Sequence, residues 1–391
     1  CRKSWKGYRG TNMNQYAKTY EQEAYALLKT LAAIPAPSNH EEKRAAFCLE
    51  WLRNQGVSQA YIDEAQNVVI PFGVTQENPV AVVMAHMDVV FEDQEALPVR
   101  EEEERLYAPG VGDDTANLTV LLMAARYLSQ SCAVPRDMGV LLVCNTGEEG
   151  LGNLRGCRHI VETYGSRIQE FTSLDGSLTG LVTKAVGSKR FRVEVRTEGG
   201  HSYGSFGNRN AIAYMASLIQ SLYAMKVPNH GRTTFNVGRI QGGTSVNSIA
   251  QQCEMLYEFR SDSEEDLRIM DEHFHKAIEY YSTKGIRIEV KLLGERPCGA
   301  AVDPARQAAL TKRCQDMMSR YNGGIHPQEK AGSTDCNIPL SLGIPSVCFG
   351  CYTGQGAHTR EEFVERKSLL PGLSLGLDWI SSYFTFSGKE T

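Results

Sequence analysis

Short, almost wholly apolar segments recur in the first and last parts of the chain, separated or flanked by helical patterns at 115–130, 304–321 and 366–384. Strands with one face in water alternate polar and apolar residues, so continuous apolar strands indicate a sheet that is covered on both faces. The pattern therefore predicts an α/β protein with a mostly parallel, doubly wound sheet. The predicted strands are NVVIPF (67–72), PVAVVMAH (79–86), GVLLVCN (139–145), EFTSLD (170–175) and PSVCFGC (345–351).

Two helical patterns precede the first of these strands. Helical periodicity begins near Glu21, and the segment 35–56 then offers Ser38 as an N-cap, acidic residues for the first turn and Gly56 as a stop. We therefore expect a second helix between Ser38 and Gly56.

The middle of the chain follows a different pattern. The segment SKRFRVEVRT (188–197) alternates strictly, so that Phe191, Val193 and Val195 face one way and charged residues face the other. The later pattern predicts helices and strands that complete a β-α-β-β-α-β order, the ferredoxin-like split βαβ sandwich. The later helices are predicted at 209–226 and 264–282, and the later strands at 232–240, 252–260 and 286–293.

The change from continuous to alternating apolar patterns predicts an inserted domain. Its boundaries are 187–297, so it divides the domain with the continuous apolar strands into a first part, 1–186, and a second part, 298–391. A chain of 391 residues also exceeds what one hydrophobic core usually supports, so two domains are expected from length alone.

Charge and composition exclude several classes of protein. The formal net charge of −5 gives no electrostatic footprint for nucleic acid or for an anionic membrane surface. No apolar run approaches the length of a membrane span. We therefore expect neither nucleic acid nor a membrane as a partner.

The cysteines indicate a reducing compartment. There are 11, an odd number, and they lack the spacing of a disulfide framework. The cytoplasm is therefore the expected location. Residues 1–12 look like a leader segment, with Met13 as the expected start, and Cys348 in the CxxC segment 348–351 is interpreted as strand core.

Metal-capable side chains follow four of the five main apolar segments. They are His86, the adjacent Glu148 and Glu149, Asp175, and His358. The carboxyl ends of strands in a doubly wound sheet open onto one crevice, so residues far apart in sequence converge there. Each signal is weak when taken alone, but their shared position predicts a common site.

The segment PGVGDD (109–114) contributes two further acids at the predicted start of a helix. An acid at this position usually caps the helix, and we expect Asp114 to be the N-cap. One cap is enough, so Asp113 is a candidate for a bridging metal ligand. Asp88 lies two residues after His86, which in an extended chain brings its carboxylate to the same side, behind the imidazole.

Two histidines and several carboxylates, without an obvious cysteine ligand, suit Zn²⁺ or a similar divalent ion in a hydrolytic pair. Such a pair can share one carboxylate and activate a water molecule. A further carboxylate must then accept the proton, and it cannot also be a tightly bound ligand. This explains the adjacent pair, one glutamate as ligand and one as base, although the spacing allows either order.

These motifs resemble the di-zinc exopeptidase and deacylase family that includes peptidase T, carboxypeptidase G and aminoacylase. The resemblance extends over nearly the whole chain from about residue 20. The matching motifs, in family order, are HMD (86–88), GVGDD (110–114), NTGEEG (145–150), SLDG (173–176), GGHSYG (199–204) and GAHT (356–359).

The resemblance implies two zinc sites that share the carboxylate of Asp113. His86 and Asp175 would complete one site, and Glu149 and His358 the other, with Co²⁺ or Mn²⁺ as alternative metals.

The resemblance also assigns the remaining acids. Glu148 would be the general base, and Asp88 would lie behind His86. The family often has a cis peptide after the bridging aspartate, here between Asp113 and Asp114.

The inserted domain would be the family's lid and dimerisation domain, so the resemblance implies a homodimer. His201 would polarise the scissile carbonyl. Asn247 and Arg260 match lid positions that bind the substrate carbonyl or carboxylate, although Arg260 also fits a surface charge at a strand end.

An aspartate at the position of Asp175 tends to accompany aminopeptidases of this family. The expected function is therefore a cytosolic di-zinc aminopeptidase that acts on di- or tripeptides, and the nearest alternative is an N-acyl-amino-acid deacylase.

A serine hydrolase would use the GLSLG segment around Ser374 as a nucleophile elbow, but that segment lies in a predicted helix. A non-enzymatic binding protein is the remaining alternative, although candidates for every ligand and for the base are present.

Overall fold

The computed structural model describes residues 13–299 and 302–386. The expected leader segment, 1–12, lies outside these residues. None of the helices in the described ranges combines the length and the apolar character that a membrane crossing requires.

The chain forms two compact units. One comprises the described residues up to Thr183 together with those after Gly299, and the other is Lys184–Gly299. The inserted domain predicted at 187–297 falls within this second unit.

Nine α-helices form within the described residues. The predicted helix at 115–130 begins two residues late, because 111–116 forms an irregular helical turn. The helices are α1 (Met13–Ala33), α2 (Glu42–Asn54), α3 (Asn117–Gln130), α4 (Arg155–Tyr164), α5 (Ala211–Tyr223), α6 (Glu264–Ser282), α7 (Pro304–Tyr321), α8 (Asn337–Ser341) and α9 (Arg366–Ser381).

The strands of the described residues range from two to ten residues in length. The first ten are β1 (Tyr61–Ile62), β2 (Val68–Phe72), β3 (Val80–His86), β4 (Arg100–Glu102), β5 (Arg105–Tyr107), β6 (Val134–Pro135), β7 (Gly139–Asn145), β8 (Ile168–Leu174), β9 (Gly180–Ala185) and β10 (Gly187–Arg196). The others are β11 (Gly200–His201), β12 (Thr233–Gly242), β13 (Ser248–Ile249), β14 (Gln252–Ser261), β15 (Arg287–Arg296), β16 (Gln328–Gly332), β17 (Ser346–Phe349), β18 (Gly354–Gln355), β19 (Phe363–Glu365) and β20 (Phe384–Thr385).

The first unit is built on an eight-stranded sheet with the strand order β1-β2-β7-β3-β8-β17-β9-β16. Its centre is parallel, since β3 pairs in parallel with β7 and β8, and β17 with β8. The outer strands β1, β2 and β9 pair antiparallel. Every residue of β3 and β7 is buried, so both faces of the sheet centre are covered. The predicted α/β fold with a large, mostly parallel sheet is confirmed.

The strand registers bring the candidate site residues to one edge of this sheet. His86 at the end of β3 pairs with Asn145 at the end of β7. Leu174 at the end of β8 pairs in the same way with Phe349 of β17. Because these strands are parallel, the segments that follow them leave the sheet on the same side.

The second unit is an antiparallel sheet with the order β12-β14-β10-β15 and the helices α5 and α6. Phe191, Val193 and Val195 are buried with residues of both helices in one hydrophobic core. The predicted β-α-β-β-α-β order is found, with one addition. The short strands β11 and β13 form a separate two-stranded ribbon between its elements.

Ser38 does not cap a helix, so the N-cap prediction was wrong. Helix α2 begins only at Glu42 and has no side-chain cap. The Ser38 hydroxyl instead donates a hydrogen bond of 2.7 Å to the carboxylate Oδ2 of Asp88. An ionised carboxylate is a stronger hydrogen-bond acceptor than a neutral oxygen. Rules for helix caps consider only neighbouring residues, and Asp88 is 50 residues away.

Ser374 lies in the interior of α9, where its hydroxyl donates to the carbonyl of Leu370 at 2.9 Å. A nucleophile elbow requires a sharp turn between a strand and a helix. The GLSLG segment therefore provides no such elbow.

Gly372 of α9 offers a test of how closely this helix packs. Alanine in a helix is usually favoured over glycine by about 1 kcal/mol, but a Cβ at Gly372 would come within 1.5 Å of the Cys351 carbonyl oxygen. We expect Gly372→Ala to lower the free energy of unfolding by about 3 kcal/mol, as overpacking does, measured by urea denaturation. Ser374→Ala in the same helix is the control and should change it by less than about 1 kcal/mol. Equal or greater stability of Gly372→Ala would contradict this account.

Candidate metal centre

The segments that leave the carboxyl edge of the large sheet bring their acidic and imidazole side chains together. In the described residues, three groups place potential ligand atoms within 4.8 Å of one another. Every residue in these groups except Asp114 was predicted from the sequence to belong to the site. The groups are His86, Asp113, Asp114 and Asp175; His86, Glu148 and Glu149; and Asp113, Glu149 and His358.

Asp113 lies at the centre of this cluster. Its Oδ1 is 3.1 Å from Nε2 of His86, and its Oδ2 is 3.2 Å from Nε2 of His358. The same nitrogen of His358 is 2.9 Å from Oε1 of Glu149. One carboxylate thus presents an oxygen to each of two imidazoles, which is the geometry that a bridging ligand requires.

The cluster holds more buried negative charge than its histidines balance. Burial opposes ionisation of Asp113, but hydrogen bonds from His358 and His86 bring its pKa well below the usual range. Burial and the charge of Asp113 instead raise the pKa of Asp175 to about 7. A divalent cation among these oxygens would offset both the burial and the repulsion that raise the pKa of Asp175.

The donor set fits divalent ions of the zinc type. Two imidazoles and three carboxylates form two overlapping sets of three ligands, and oxygen and imidazole nitrogen are the donors that such ions take in catalytic sites. One set is His86, Asp113 and Asp175, and the other is Asp113, Glu149 and His358. The residues present can therefore hold two ions that share Asp113.

Asp114 holds the backbone of the neighbouring strand and does not cap a helix, so the cap prediction was wrong. Its Oδ2 accepts the backbone N–H of His86 at 2.9 Å, and its Oδ1 accepts the side-chain amide of Asn117 at 2.6 Å. Helix α3 has no side-chain N-cap. The backbone N–H at the end of β3 is the donor to this carboxylate instead. The Asp113–Asp114 peptide is cis.

Asp88 lies behind both the imidazole and the glutamate pair. Nδ1 of His86 is 3.0 Å from the Asp88 carbonyl oxygen and 3.5 Å from its carboxylate. That carboxylate also accepts the backbone N–H groups of Glu148 at 3.0 Å and Glu149 at 2.9 Å. The buried Asp88 thus orients one ring and the turn that carries two acids.

Glu148 and Glu149 are both buried, at 4% and 7% exposure. Glu149 contacts His358, as described above, whereas Glu148 shares a ligand-distance group with His86 and Glu149. Adjacent residues held by one carboxylate through their N–H groups can direct their side chains to different positions. The turn can therefore provide both a ligand and a proton acceptor.

Sequence reasoning missed Glu41, a fully buried carboxylate that supports the same turn. Its Oε1 accepts the N–H of Gly147 at 2.9 Å, and its Oε2 accepts the guanidinium of Arg155 at 2.9 Å. The only signal in the sequence was an acid just before a helix. Such an acid is usually explained by its favourable interaction with the helix dipole, so it does not point to a buried contact.

The remaining predicted residues lie in the second unit. His201 is exposed, and its Nδ1 accepts the N–H groups of Tyr203 and Gly204 at 3.2 and 3.3 Å. Asn247 lies beside it, since the N–H of Ser202 donates to the Asn247 carbonyl at 2.9 Å. Arg260 pairs with Glu258 at 3.2 Å.

The sequence of the chain matches a known protein family and several characterised proteins. The model of the peptidase family M20/M25/M40 matches residues 82–382. The chain is 34% identical over 356 residues to the LysW-lysine hydrolase of Deinococcus radiodurans, across 87% of this chain and 91% of that protein. It is 29% identical over 231 residues to the acetylornithine deacetylase of Myxococcus xanthus, across 55% of this chain but only 58% of that protein's length.

A solved structure shares the fold. A tripeptidase from Staphylococcus aureus superposes with a TM-score of 0.73 at 22% identity, covering 92% of this chain and 98% of that one. At this level of identity the comparison shows the common architecture alone.

The contacts of His358 with two acids predict that the melting temperature of the protein depends on pH once divalent ions have been removed with a chelator. Hydrogen bonds that His358 donates to the carboxylates of Asp113 and Glu149 raise the pKa of His358 to about 10. The stabilisation from this proton is complete below the unfolded pKa of about 6.5 and is lost as the pH rises towards the folded value. We expect the melting temperature to fall between about pH 7 and pH 9.5 more steeply in the wild type than in His358→Asn.

Asparagine is the appropriate replacement in this comparison, because His358 has a φ of 64° and asparagine tolerates that conformation. Groups elsewhere titrate equally in both proteins and cancel in the difference. Parallel pH profiles of melting temperature for the two proteins would refute the assigned contacts of His358.

Proposed function

The chain belongs to the peptidase family M20/M25/M40, and from that membership we propose that it is a metal-dependent aminopeptidase that removes the N-terminal residue of di- and tripeptides. The family consists of metal-dependent hydrolases, so the chain is a hydrolase. The observation that carries the proposal is the Asp113 carboxylate between His86 and His358, with Glu148 close by. An aspartate at position 175 supports action at a free amino terminus.

The residues of the cluster would divide the chemistry between them. The metals are proposed to be Zn²⁺, with Co²⁺ or Mn²⁺ as alternatives, and when bound they would supply Lewis acidity that polarises the carbonyl and activates water. Glu148 would accept the proton of the attacking water and return it to the leaving amine. Asp88 would keep Glu148 in place through its backbone N–H, and Asp175 and Glu149 would serve as ligands.

Residues of the second unit would complete the site in this proposal. Because Nδ1 of His201 accepts two backbone N–H groups, the proton of the neutral ring lies on Nε2, which can donate to a developing oxyanion. Asn247 and Arg260 would bind the substrate carbonyl and carboxylate. We further propose that 187–297 acts as a lid and joins two copies of the chain as a homodimer.

The alternative function is that of an N-acyl-amino-acid deacylase. It uses the same residues and differs only in the group on the amino side of the scissile bond. The similarity to an acetylornithine deacetylase favours this candidate. Because that match covers little more than half of either protein, the aminopeptidase remains the first choice.

Glu148→Ala tests the proposed base. We expect kcat on peptides to fall by about 10³-fold, while metal content stays at the wild-type level, because Glu148 is not a proposed ligand. Glu162→Ala, which removes an exposed acid of α4, should leave kcat unchanged. Metal analysis and steady-state kinetics on the same preparations measure both quantities. Retention of turnover in Glu148→Ala would exclude Glu148 as the base.

A substrate panel separates the two candidate functions. Free tripeptides, the same tripeptides with acetylated amino termini, and N-acetylated amino acids are compared at equal concentration with the metal-loaded protein. We expect hydrolysis of the free tripeptides, with a loss of at least about tenfold in kcat/KM when the amino group is blocked. Activity confined to the acetylated amino acids would replace the aminopeptidase with the deacylase.

A further inference from the structure

Glu362 is a buried carboxylate that the chemistry described so far leaves without a function. It is 2% exposed and lies four residues after His358. Three backbone N–H groups donate to it, from Gly110 at 2.9 Å, from Gly112 at 2.9 Å and from Asp113 itself at 2.8 Å. A single side chain thus satisfies most of the main-chain donors of the turn that carries the bridging carboxylate.

This turn is poorly suited to hold its own conformation. Gly110 has a φ of 71° and a Cβ there would lie 2.3 Å from the Val89 side chain, whereas one at Gly112 would lie 2.6 Å from the Tyr352 ring. Close packing therefore demands glycine at both positions. Glycine has the largest backbone freedom of any residue, so an external partner is needed to keep the turn in one state.

The segment that carries Glu362 contacts Asp113 at two points, its side chain and its backbone. His358 contacts the Asp113 carboxylate, and Glu362 accepts the N–H of the same residue. The backbone beyond is fixed as well, because the N–H of Ala108 donates to the Glu362 carbonyl at 3.1 Å and β19 then pairs with β5. Side chain and backbone of Asp113 are therefore oriented by one loop.

We propose that Glu362 is a positioning residue of the metal centre, which holds the 110–113 turn so that the Asp113 carboxylate lies between the two ion positions before any ion binds. The proposal rests on the metal-binding function and is independent of whether the substrate is a peptide or an acylated amino acid. Residues that orient metal ligands typically contribute about 10- to 100-fold in metal affinity. Because Asp113 is shared, loss of Glu362 weakens both sites.

Glu362→Gln tests this with little change in shape. The amide oxygen can still accept N–H groups, but the NH₂ group cannot, so at least one donor of the turn loses its partner. The chain is freed of metal by dialysis against a chelator and titrated with Co²⁺, followed by calorimetry and visible absorption. We expect both Co²⁺ affinities to fall by about 10- to 100-fold relative to the wild type.

Glu361→Gln is the matched control, since Glu361 neighbours Glu362 but is 79% exposed and pairs with Arg100 at the surface. It should bind Co²⁺ as the wild type does. Wild-type affinities in Glu362→Gln, or an equal loss in both variants, would overturn the proposal. Near-UV circular dichroism of the metal-free proteins checks folding.

Should Glu362→Gln fail to fold, Glu362→Asp takes its place, because it keeps the charge and shortens the reach. Weaker Co²⁺ binding by this variant then supports the proposal, and wild-type binding overturns it. If the wild-type chain itself bound no Co²⁺, the metal-binding function would fail, and the positioning function with it. That result is distinct from a defect confined to the Glu362 variants.

Discussion

The contact of the Asp113 carboxylate with His86 and His358 is the interaction on which the rest of the site depends. Three segments that are distant in sequence must meet for it to form, and the parallel centre of the large sheet provides the meeting place. The contact also sets the electrostatics. Two imidazoles favour the ionised form of Asp113, and burial together with this charge raises the pKa of Asp175, so divalent cations would stabilise the cluster.

The acids around this contact fall into two classes. Asp113, Asp175 and Glu149 direct their carboxylates towards the positions where ions would bind. Asp88 and other buried acids instead accept main-chain N–H groups, and so they hold the backbone that carries the proposed ligands and base. The second class comprises Asp88 at the Glu148–Glu149 turn, Asp114 at the end of β3, Glu41 at Gly147 and Glu362 at the 110–113 turn. A buried carboxylate with several N–H donors is well satisfied without a metal.

Much of this could be predicted from local pattern. The continuous apolar segments correspond to β3, β7 and other strands of the large sheet. A strand that is buried on both faces is apolar at nearly every position, so its sequence is recognisable. The misassigned residues, Ser38 and Asp114, are polar groups next to a helix start. Local rules assign them the nearest free backbone N–H as a partner, yet in the fold each bonds to a group from another segment.

The sequence by itself determined the strand and helix pattern, the β-α-β-β-α-β insertion and the set of metal-capable residues at strand ends, since periodicity and residue chemistry are local properties. Only the tertiary structure decided which carboxylate contacts which partner. It showed Asp113 between the two histidines, and Asp88 and Glu362 bonded to backbone. A hydrogen bond forms only when two segments, here from 27 to 249 residues apart in the chain, are placed to within a few tenths of an ångström. Periodicity carries no information on that scale.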